Sequence, residues 1–178
     1  REGLIVNDIT ELTGILNGTA NYILSEMEVA EKGFEEVLAD AQKKGYAEAD
    51  PSFDIDGIDA AHKTIILSGL AYGKMPNLED LSIQGIREIS LNDIKYCNDL
   101  GYKIKLLGNS LVSKDPNGKD ELFCSVKPWL IAKNFGLSNV SGVINAVQIE
   151  SNLAGSVMIT GAGAGGEPTA SAVLADIV

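Results

Sequence analysis

The sequence predicts an α+β fold, with a mixed, mostly antiparallel sheet and helices packed on one of its faces. Helical patterns come first along the chain and several neighbouring strands follow, an order typical of this class. The 178 residues are enough for one sizeable domain with its own core. Because the chain shows no internal repeat, low-complexity tract or long linker, we expect a single domain over residues 1–178.

The amino-terminal part predicts one strand and two helices. Residues 1–18 alternate loosely, as in a strand. A turn at 17–19 leads into the first helix, with Thr19 as a possible N-cap. One apolar stripe runs along that helix, which ends at Gly33. The second helix covers residues 34–44 and ends in a C-terminal glycine cap. The turn at 17–19 could instead contact a ligand, since glycine permits close approach of the backbone.

The third helix is predicted from about residue 56 to residue 73. Beyond Lys63 it is apolar nearly all round, which is typical of a buried helix, so we expect it to lie in the core. Residues 81–84 then predict a short strand. The capping pattern that starts at Ser90 predicts a further helix, which Gly101 ends.

The second half of the chain supplies most of the strands. The predicted strands cover residues 102–112, 122–126, 139–150 and 155–160. A polar hairpin loop at 114–119 joins the first two of them. Residues 129–134 predict a short helix, and a last helix begins at Pro168, a residue that suits the first helical position.

Composition excludes several classes of function. The formal net charge of −11 argues against a nucleic-acid partner, whose phosphates would be repelled. No apolar run reaches the length of a membrane span, so we expect no membrane partner. Cys97 and Cys124 show no metal-binding spacing and suit free thiols in a reducing compartment, which predicts a cytoplasmic location. With a single histidine and no cysteine cluster, we expect no metal site.

The amino end lacks an initiator methionine and any signal-peptide pattern. We therefore expect the chain to be a segment of a longer protein. The charged residues give the first indication of the function of this segment.

Five carboxylates fall within twelve residues, just before the apolar stretch of the third helix. Asp59 and Lys63 are spaced i,i+4 and share one face of that helix. Such a pair is most often a solvated surface pair that contributes a few tenths of a kcal/mol. The other interpretation is a substrate site, in which carboxylates hold a polar ligand and a desolvated lysine transfers a proton.

A calcium loop is a third interpretation of the same segment. Residues 54–57 look like part of an EF-hand, and in that register the first ligand position is Ser52. The twelfth position, which requires a bidentate glutamate, is Lys63. Because an ammonium group cannot coordinate calcium, this interpretation fits poorly.

Five runs of the sequence, in order and over nearly the whole chain, resemble the catalytic domain of homoserine dehydrogenase. These runs are 14–24, 45–51, 57–63, 141–146 and 161–170. The resemblance implies an enzyme that interconverts L-homoserine and L-aspartate 4-semialdehyde with NAD or NADP, in threonine, methionine and isoleucine biosynthesis. It also implies a homodimer, and a separate amino-terminal nucleotide-binding domain that this chain lacks.

The resemblance implies a role for each matching residue. Lys63 is the expected general acid and base at the C4 oxygen of the substrate. Glu48 and Asp59 are expected to bind the substrate through its amino group and hydroxyl, and Asp54 matches a further acidic position of the site. Gly45, Glu48 and Gly165 match positions expected to approach the dinucleotide. These roles agree with the chemistry, because an ammonium group can stabilise and protonate the alkoxide that develops at an aldehyde oxygen.

The carboxyl end mimics a dinucleotide-binding fingerprint, with a strand, a glycine-rich loop and a helix. A true fingerprint needs a βαβ unit with an acidic residue about 20 positions beyond, and the chain stops at Val178. The family resemblance implies another role, in which residues 161–178 return toward the absent nucleotide-binding domain. We expect this end to fray or to be misplaced without that domain.

Two other classes of function remain open from the residues alone. In one, the chain is a structural oligomerisation domain whose apolar strands pair across a two-fold axis. In the other, the acidic segment binds a cation as a regulatory module. Binding of homoserine would favour the enzyme, and a calcium or magnesium titration would test the cation module.

Overall fold

A computed structural model of the chain describes residues 2–114 and 116–177. Its strands are β1 Ile9–Ile15, β2 Ser82–Ile83, β3 Tyr102–Lys114, β4 Asp120–Ala132, β5 Ile144–Ser151 and β6 Gly155–Ala162. Its α-helices are α1 Gly18–Ala30, α2 Phe34–Lys43, α3 Ser52–Ile55, α4 Ile58–Tyr72, α5 Leu91–Asp99 and α6 Gly166–Ile177. Short 3-10 helices cover Glu2–Leu4, Leu78–Asp80 and Gly136–Asn139.

The strands form one sheet in the order β2-β4-β3-β1-β5-β6. Strand β2 pairs with β4 in parallel, and every other neighbouring pair in this order is antiparallel. The longest pairing joins β3 to β4 from Tyr102 opposite Ala132 to Lys114 opposite Asp120. The predicted mixed, mostly antiparallel sheet is therefore confirmed.

The two faces of the sheet are covered differently. Leu106 and Leu107 are neighbours in β3, so their side chains point to opposite faces. Leu106 belongs to the large core cluster, to which helices α1 to α5 all contribute buried apolar side chains. Leu107 belongs to a smaller cluster on the other face. Leu137 and Val140, in and directly after the 3-10 helix Gly136–Asn139, cover this cluster. The prediction that the helices pack on one face is thus confirmed for the helices of the core.

Several helix boundaries follow their local sequence signals. Gly45 and Gly101 adopt positive φ angles of 75° and 84° directly after α2 and α5, as the predicted glycine caps require. Ser90 and Asp93 form the predicted capping box at the start of α5. The expected N-cap of α1 is wrong, because Asn17 rather than Thr19 accepts the backbone N–H of Ala20.

Three segments differ from their predicted secondary structure. The helix predicted at 129–134 is wrong, because β4 continues through this stretch to Ala132 in full register with β3. The strand predicted at 139–150 begins only at Ile144. The strand predicted within 1–18 is limited to Ile9–Ile15. In each case long-range pairing along the sheet decides the outcome over local propensity. Asp115, in the predicted hairpin loop, lies outside the described residues.

The prediction that the third helix lies buried in the core holds for one of its faces and is wrong for the other. Helix α4 buries one face through small and polar residues, namely Ala60, Ala61, Thr64 and Ser68. Ile66 and Leu70 on its other side are each 53% exposed. Only one face of α4 packs against the sheet, so part of its apolar surface has no partner within the described part of the chain. Within that part, no helix is both long and apolar enough to cross a membrane.

Helix α6 begins at Gly166, two residues before the predicted start at Pro168. None of its residues from Gly166 to Ile177 is buried. The apolar side chains of Val173, Leu174 and Ile177 are exposed. The prediction that this end frays without a partner stays a prediction, and Val178 lies outside the described residues.

Candidate active site

A cavity of about 430 Å³ opens where five segments of the chain meet. The segments are the start of α1, the loop after α2, the α3–α4 unit, the chain entering β5, and the glycine-rich segment after β6. The lining residues are Asn17, Gly18, Thr19, Gly45, Tyr46, Asp54, Asp59, Lys63, Val143, Asn145, Ala162, Gly163, Ala164 and Gly165. The cavity therefore brings together residues that are far apart in sequence.

Lys63 projects from the first turns of α4 toward this cavity. Its ammonium group donates to Asp59 Oδ2 at 2.8 Å, as the i,i+4 spacing predicts, and to the Leu16 carbonyl oxygen at 3.0 Å. The side chain is 42% exposed and that of Asp59 is 21% exposed. An ammonium group has three donors. Two of them are used by the described residues, which leaves the third for a ligand in the cavity.

Asn17 links the acidic residues of the site to helix α1. Its side-chain oxygen caps α1 by accepting the Ala20 N–H at 2.7 Å. Its amide nitrogen donates to Asp54 Oδ1 at 2.7 Å and to Asp59 Oδ2 at 2.9 Å. The two carboxylates are thus held side by side. Among the described residues, the second oxygen of each carboxylate accepts no hydrogen bond, which leaves it available to a ligand.

A glycine places these two carboxylates on the same wall. Gly57 adopts a φ angle of 84° between α3 and α4, a conformation that favours glycine. Its position is also tight for a side chain, because a Cβ there would lie 3.2 Å from Val126 Cγ1. The turn brings Asp54 at the end of α3 close to Asp59 at the start of α4. Asp56, between them, instead forms an ion pair with Arg87.

The five carboxylates of the acidic segment thus separate into two sets. Asp54 and Asp59 line the cavity, whereas Asp56 faces Arg87. Hydrogen bonds from the side chain and the backbone N–H of Ser52 lower the pKa of Asp50. Glu48 is exposed and is not among the residues that line the cavity. Charge density along the sequence therefore overstates the number of acids at this site.

Another part of the cavity lining, here called the glycine wall, is formed by glycines. Gly45, Gly163 and Gly165 line the cavity, so both glycines expected near a dinucleotide are placed there. Gly165 has a φ angle of 124°. No heavy atom would meet a Cβ built on Gly45 within 4 Å, so the space above it is open. Such exposed backbone suits close approach by an extended ligand. The backbone groups of these glycines fit a dinucleotide better than a metal ion.

Two asparagines of the site were not assigned a role from the sequence. Asn17 was part of a turn that could contact ligand, and the structure places it at the cavity, where it also starts α1. Asn145 donates to the Leu16 carbonyl oxygen at 3.2 Å. Its only sequence signal is its position in one of the family-like runs. No periodicity indicates it, because its partners come from the opposite end of the chain.

The arrangement suits recognition of a small zwitterion. It offers two carboxylates for an ammonium group and the first turn of α1, whose N–H groups favour an anion. It also offers one ammonium group held by a carboxylate. Within the described residues, no three histidine, cysteine, aspartate or glutamate side chains are grouped so that they could hold a metal ion.

Comparison with known proteins gives a consistent result. A sequence model of the homoserine dehydrogenase family matches residues 1–178. The homoserine dehydrogenase of Neisseria gonorrhoeae is 49% identical over 178 residues, and that of Helicobacter pylori is 48% identical over the same length. Each alignment covers 100% of this chain, and 40% and 41% of these two relatives.

Solved structures agree with the sequence comparison. A homoserine dehydrogenase from Thiobacillus denitrificans superposes with a TM-score of 0.94 at 46% identity, covering 99% of this chain and 40% of that one. A hyperthermophilic archaeal homoserine dehydrogenase in complex with NADPH superposes with a TM-score of 0.80 at 33% identity. That match covers 99% of this chain and 49% of the archaeal one. The chain therefore spans less than half the length of these relatives.

Proposed function

The chain belongs to the homoserine dehydrogenase family, and from this premise we propose that it is the substrate-binding and catalytic domain of such an enzyme. The proposed reaction interconverts L-homoserine and L-aspartate 4-semialdehyde with NAD or NADP, in threonine, methionine and isoleucine biosynthesis. The observation that carries the proposal is the contact of Lys63 with Asp59 in a cavity whose other groups suit an amino acid.

Each charged group of homoserine has a counterpart in the cavity. The free oxygens of Asp54 and Asp59 would accept hydrogen bonds from the substrate ammonium group. The N–H groups of Gly18 and Thr19, in the first turn of α1, would receive its carboxylate. The free donor of Lys63 would then reach the C4 oxygen.

Lys63 would act as the acid in the reductive direction. Bound reduced nicotinamide would supply a hydride to the aldehyde carbon. The C4 oxygen then gains negative charge, which the adjacent ammonium group stabilises before it transfers a proton to that oxygen. Asp59 keeps the ammonium group in place, and the Leu16 carbonyl oxygen fixes its direction. In the oxidative direction neutral Lys63 would remove the hydroxyl proton.

The glycine wall is the proposed place for the nicotinamide end of the cofactor. Gly45 and Gly165 would allow close approach of the dinucleotide, and the archaeal relative in complex with NADPH supports such a cofactor. Glu48 follows Gly45 and Tyr46 in the chain, and its exposed side chain is free to turn toward bound substrate or cofactor. Residues 161–178 would then continue toward the part of the enzyme that binds the remaining nucleotide.

The remaining parts of the proposal concern assembly and location. The edge strand β6 exposes Met158 and Ile159, and apolar surface on α4 is also uncovered, which supports a homodimer through these surfaces. Sedimentation velocity of the full-length protein tests this, and a monomer at every concentration would contradict it. The free thiols of Cys97 and Cys124 support a reducing compartment such as the cytoplasm.

The direct test is turnover by the full-length protein. Oxidation of NADH or NADPH with L-aspartate 4-semialdehyde is followed by the absorbance of the reduced nicotinamide. We expect turnover, and we expect Asp59→Asn to lower kcat/KM by about 100-fold because a charged partner of both lysine and substrate is lost. Asp56→Asn is the matched control, since this neighbouring acid faces Arg87.

Two results would overturn the proposed function. One is the absence of turnover with either nucleotide by a folded full-length protein. The other is a kcat/KM for Asp59→Asn that equals that of Asp56→Asn. In the second case the acidic residue at the cavity would be no more important than the one at the surface, and the structural oligomerisation domain would become the better interpretation.

A further inference from the structure

Asn145 lies at the junction of the two walls of the cavity. It is the second residue of β5, after Ile144, and it pairs with Gly161 of β6. Its amide nitrogen donates to the Leu16 carbonyl oxygen at 3.2 Å, the same oxygen that accepts the Lys63 ammonium group at 3.0 Å. A carbonyl oxygen has two lone pairs. Asn145 and Lys63 therefore occupy both acceptor sites of one oxygen.

The glycine segment closes over this amide. A Cβ built on Gly163 would collide with the side-chain nitrogen of Asn145. On the other side, a Cβ at Gly18 would lie 2.9 Å from the Val143 carbonyl oxygen and 3.6 Å from Asn145 Oδ1. The amide thus lies beside both glycines, and enlargement of Gly163 would require it to move.

The orientation of the amide is fixed by these contacts. If the amide were flipped, its oxygen would face the Leu16 carbonyl oxygen, which has no proton to donate. With the nitrogen toward Leu16, the side-chain oxygen is buried and has no hydrogen-bond partner among residues 2–114 and 116–177. A buried amide oxygen without a partner costs free energy. The amide that carries this cost is in direct contact with the Leu16 carbonyl oxygen, the acceptor of Lys63.

We propose that Asn145 is a positioning residue for Lys63, and that Gly163 is required because it gives the Asn145 amide its place. This rests on the proposed function. The amide fixes the Leu16 carbonyl oxygen, which in turn fixes the direction of the ammonium group. The same amide also lies against Gly163, so the glycine segment and the Lys63 acceptor share one contact. In this role Asn145 acts through the Leu16 carbonyl oxygen and not directly on the reacting atoms.

The first test uses isosteric variants in the full-length protein. Asn145→Asp and Asn145→Leu keep the approximate size of the side chain and remove the donor to Leu16. We expect kcat to fall by about 10- to 100-fold in both, because a small misplacement of a catalytic group has effects of this order. The KM for aspartate 4-semialdehyde stays near the wild-type value, and the pH profile of kcat shifts in Asn145→Asp.

Gln148→Leu is the matched control for these variants. Gln148 is an amide on the same strand whose side-chain nitrogen donates to Glu150 and Ser156, away from the cavity. We expect near-wild-type kcat, KM and pH profile. If Asn145→Asp behaves like Gln148→Leu in all three, the proposal is wrong.

The second test is a double-mutant cycle that separates positioning from damage to the fold. Gly163→Ala alone should lower kcat about 10-fold or more, because the new Cβ displaces the Asn145 amide. In the Asn145→Ala background the same change should cost less than about threefold, since the amide is gone. Gly161→Ala is the control, because a Cβ there meets no atom within 4 Å. Equal costs of Gly163→Ala in both backgrounds would overturn the proposal.

A third measurement does not depend on turnover. Reductive methylation of Lys63, followed by peptide mass mapping and normalised to the exposed Lys95, reports the freedom of the ammonium group. We expect several-fold faster labelling in Asn145→Ala and no change in Gln148→Leu. If the wild-type protein shows no turnover, the proposed function fails while this measurement still decides the role of Asn145. Unchanged labelling would contradict that role.

Discussion

Two lysines that lie near asparagines one turn apart at the start of α1 show how differently the same side chain is used. Lys63 shares the carboxylate of Asp59 with Asn17 and lies at an open cavity. Lys105 contacts Asn21 and is only 2% exposed. Each ammonium group also donates to a backbone carbonyl oxygen, of Leu16 at 3.0 Å and of Val140 at 2.6 Å.

The difference lies in the remaining partners. Lys63 has a carboxylate partner and, among the described residues, one donor that makes no hydrogen bond, so it can contact a ligand in the cavity. Lys105 is surrounded by neutral acceptors, which include Asn21 Oδ1 at 3.1 Å. Burial lowers the pKa of Lys105 to about 8, and the charge of Lys103 acts in the same direction. One lysine is open to a ligand in the cavity, and the other holds two segments of the fold together.

The first prediction concerns the asparagine beside each lysine. The amide nitrogen of Asn21 donates to the carbonyl oxygens of Val140, Gly142 and Ile144, and its oxygen accepts from Lys105. We expect Asn21→Ala to lower the free energy of unfolding by about 3–4 kcal/mol, because several buried polar groups lose a partner at once. Urea denaturation of the full-length protein measures this loss.

Asn17→Ala is the matched comparison. It removes the cap of α1 and should cost about 1–2 kcal/mol of stability, while kcat/KM falls because Asp54 and Asp59 lose their shared donor. In Asn21→Ala the larger loss should be in stability. If Asn17→Ala is the more destabilising of the two, the division between a functional and a structural lysine is wrong.

The second prediction is a rise of stability with pH. In the unfolded chain the pKa of Lys105 returns to about 10.5, whereas in the folded chain it is about 8. The unfolded state therefore binds more protons between these values, and stability increases across this window. The gain is at most about 3 kcal/mol. Below pH 8 both states are charged and no change from this group is expected.

A second group acts in the opposite direction at the upper end of the window. Burial raises the pKa of Tyr72 to about 12, so the stability that its protonated form provides is lost as the pH rises from 10 toward 12. The contribution of Lys105 is isolated by subtracting the profile of Lys105→Met, in which the rise from pH 8 should be absent. A wild-type profile parallel to that of Lys105→Met would contradict the buried position of this ammonium group.

Local signals in the sequence predicted much of the fold. The capping box at Ser90 and the glycine caps at Gly45 and Gly101 are formed within a few residues, so the sequence alone was sufficient. The i,i+4 spacing of Asp59 and Lys63 predicted their contact for the same reason. Segments decided by distant partners were predicted poorly. The helix expected at 129–134 is a strand because residues of β3 pair with it.

The same limit applies to the site. Asp54, Asp59, Lys63, Gly45 and Gly165 were all expected there from motifs, and all line the cavity. Asn145 contacts a carbonyl oxygen 129 positions away in the sequence, and no spacing rule connects the two. The all-round apolar pattern of α4 indicated burial but could not show that one face would remain uncovered by the described residues. Sequence patterns therefore identify single-element features better than contacts between elements.

The role of Lys63 as proton donor is tested most directly by the kcat of Lys63→Ala over a range of pH, in the full-length protein. We predict a fall of about a thousandfold at neutral pH, within the range expected for loss of a general acid. Lys95→Ala, which removes an exposed lysine paired with Glu31, should keep wild-type kcat. A near-wild-type kcat for Lys63→Ala at every pH would contradict the assignment of the proton donor.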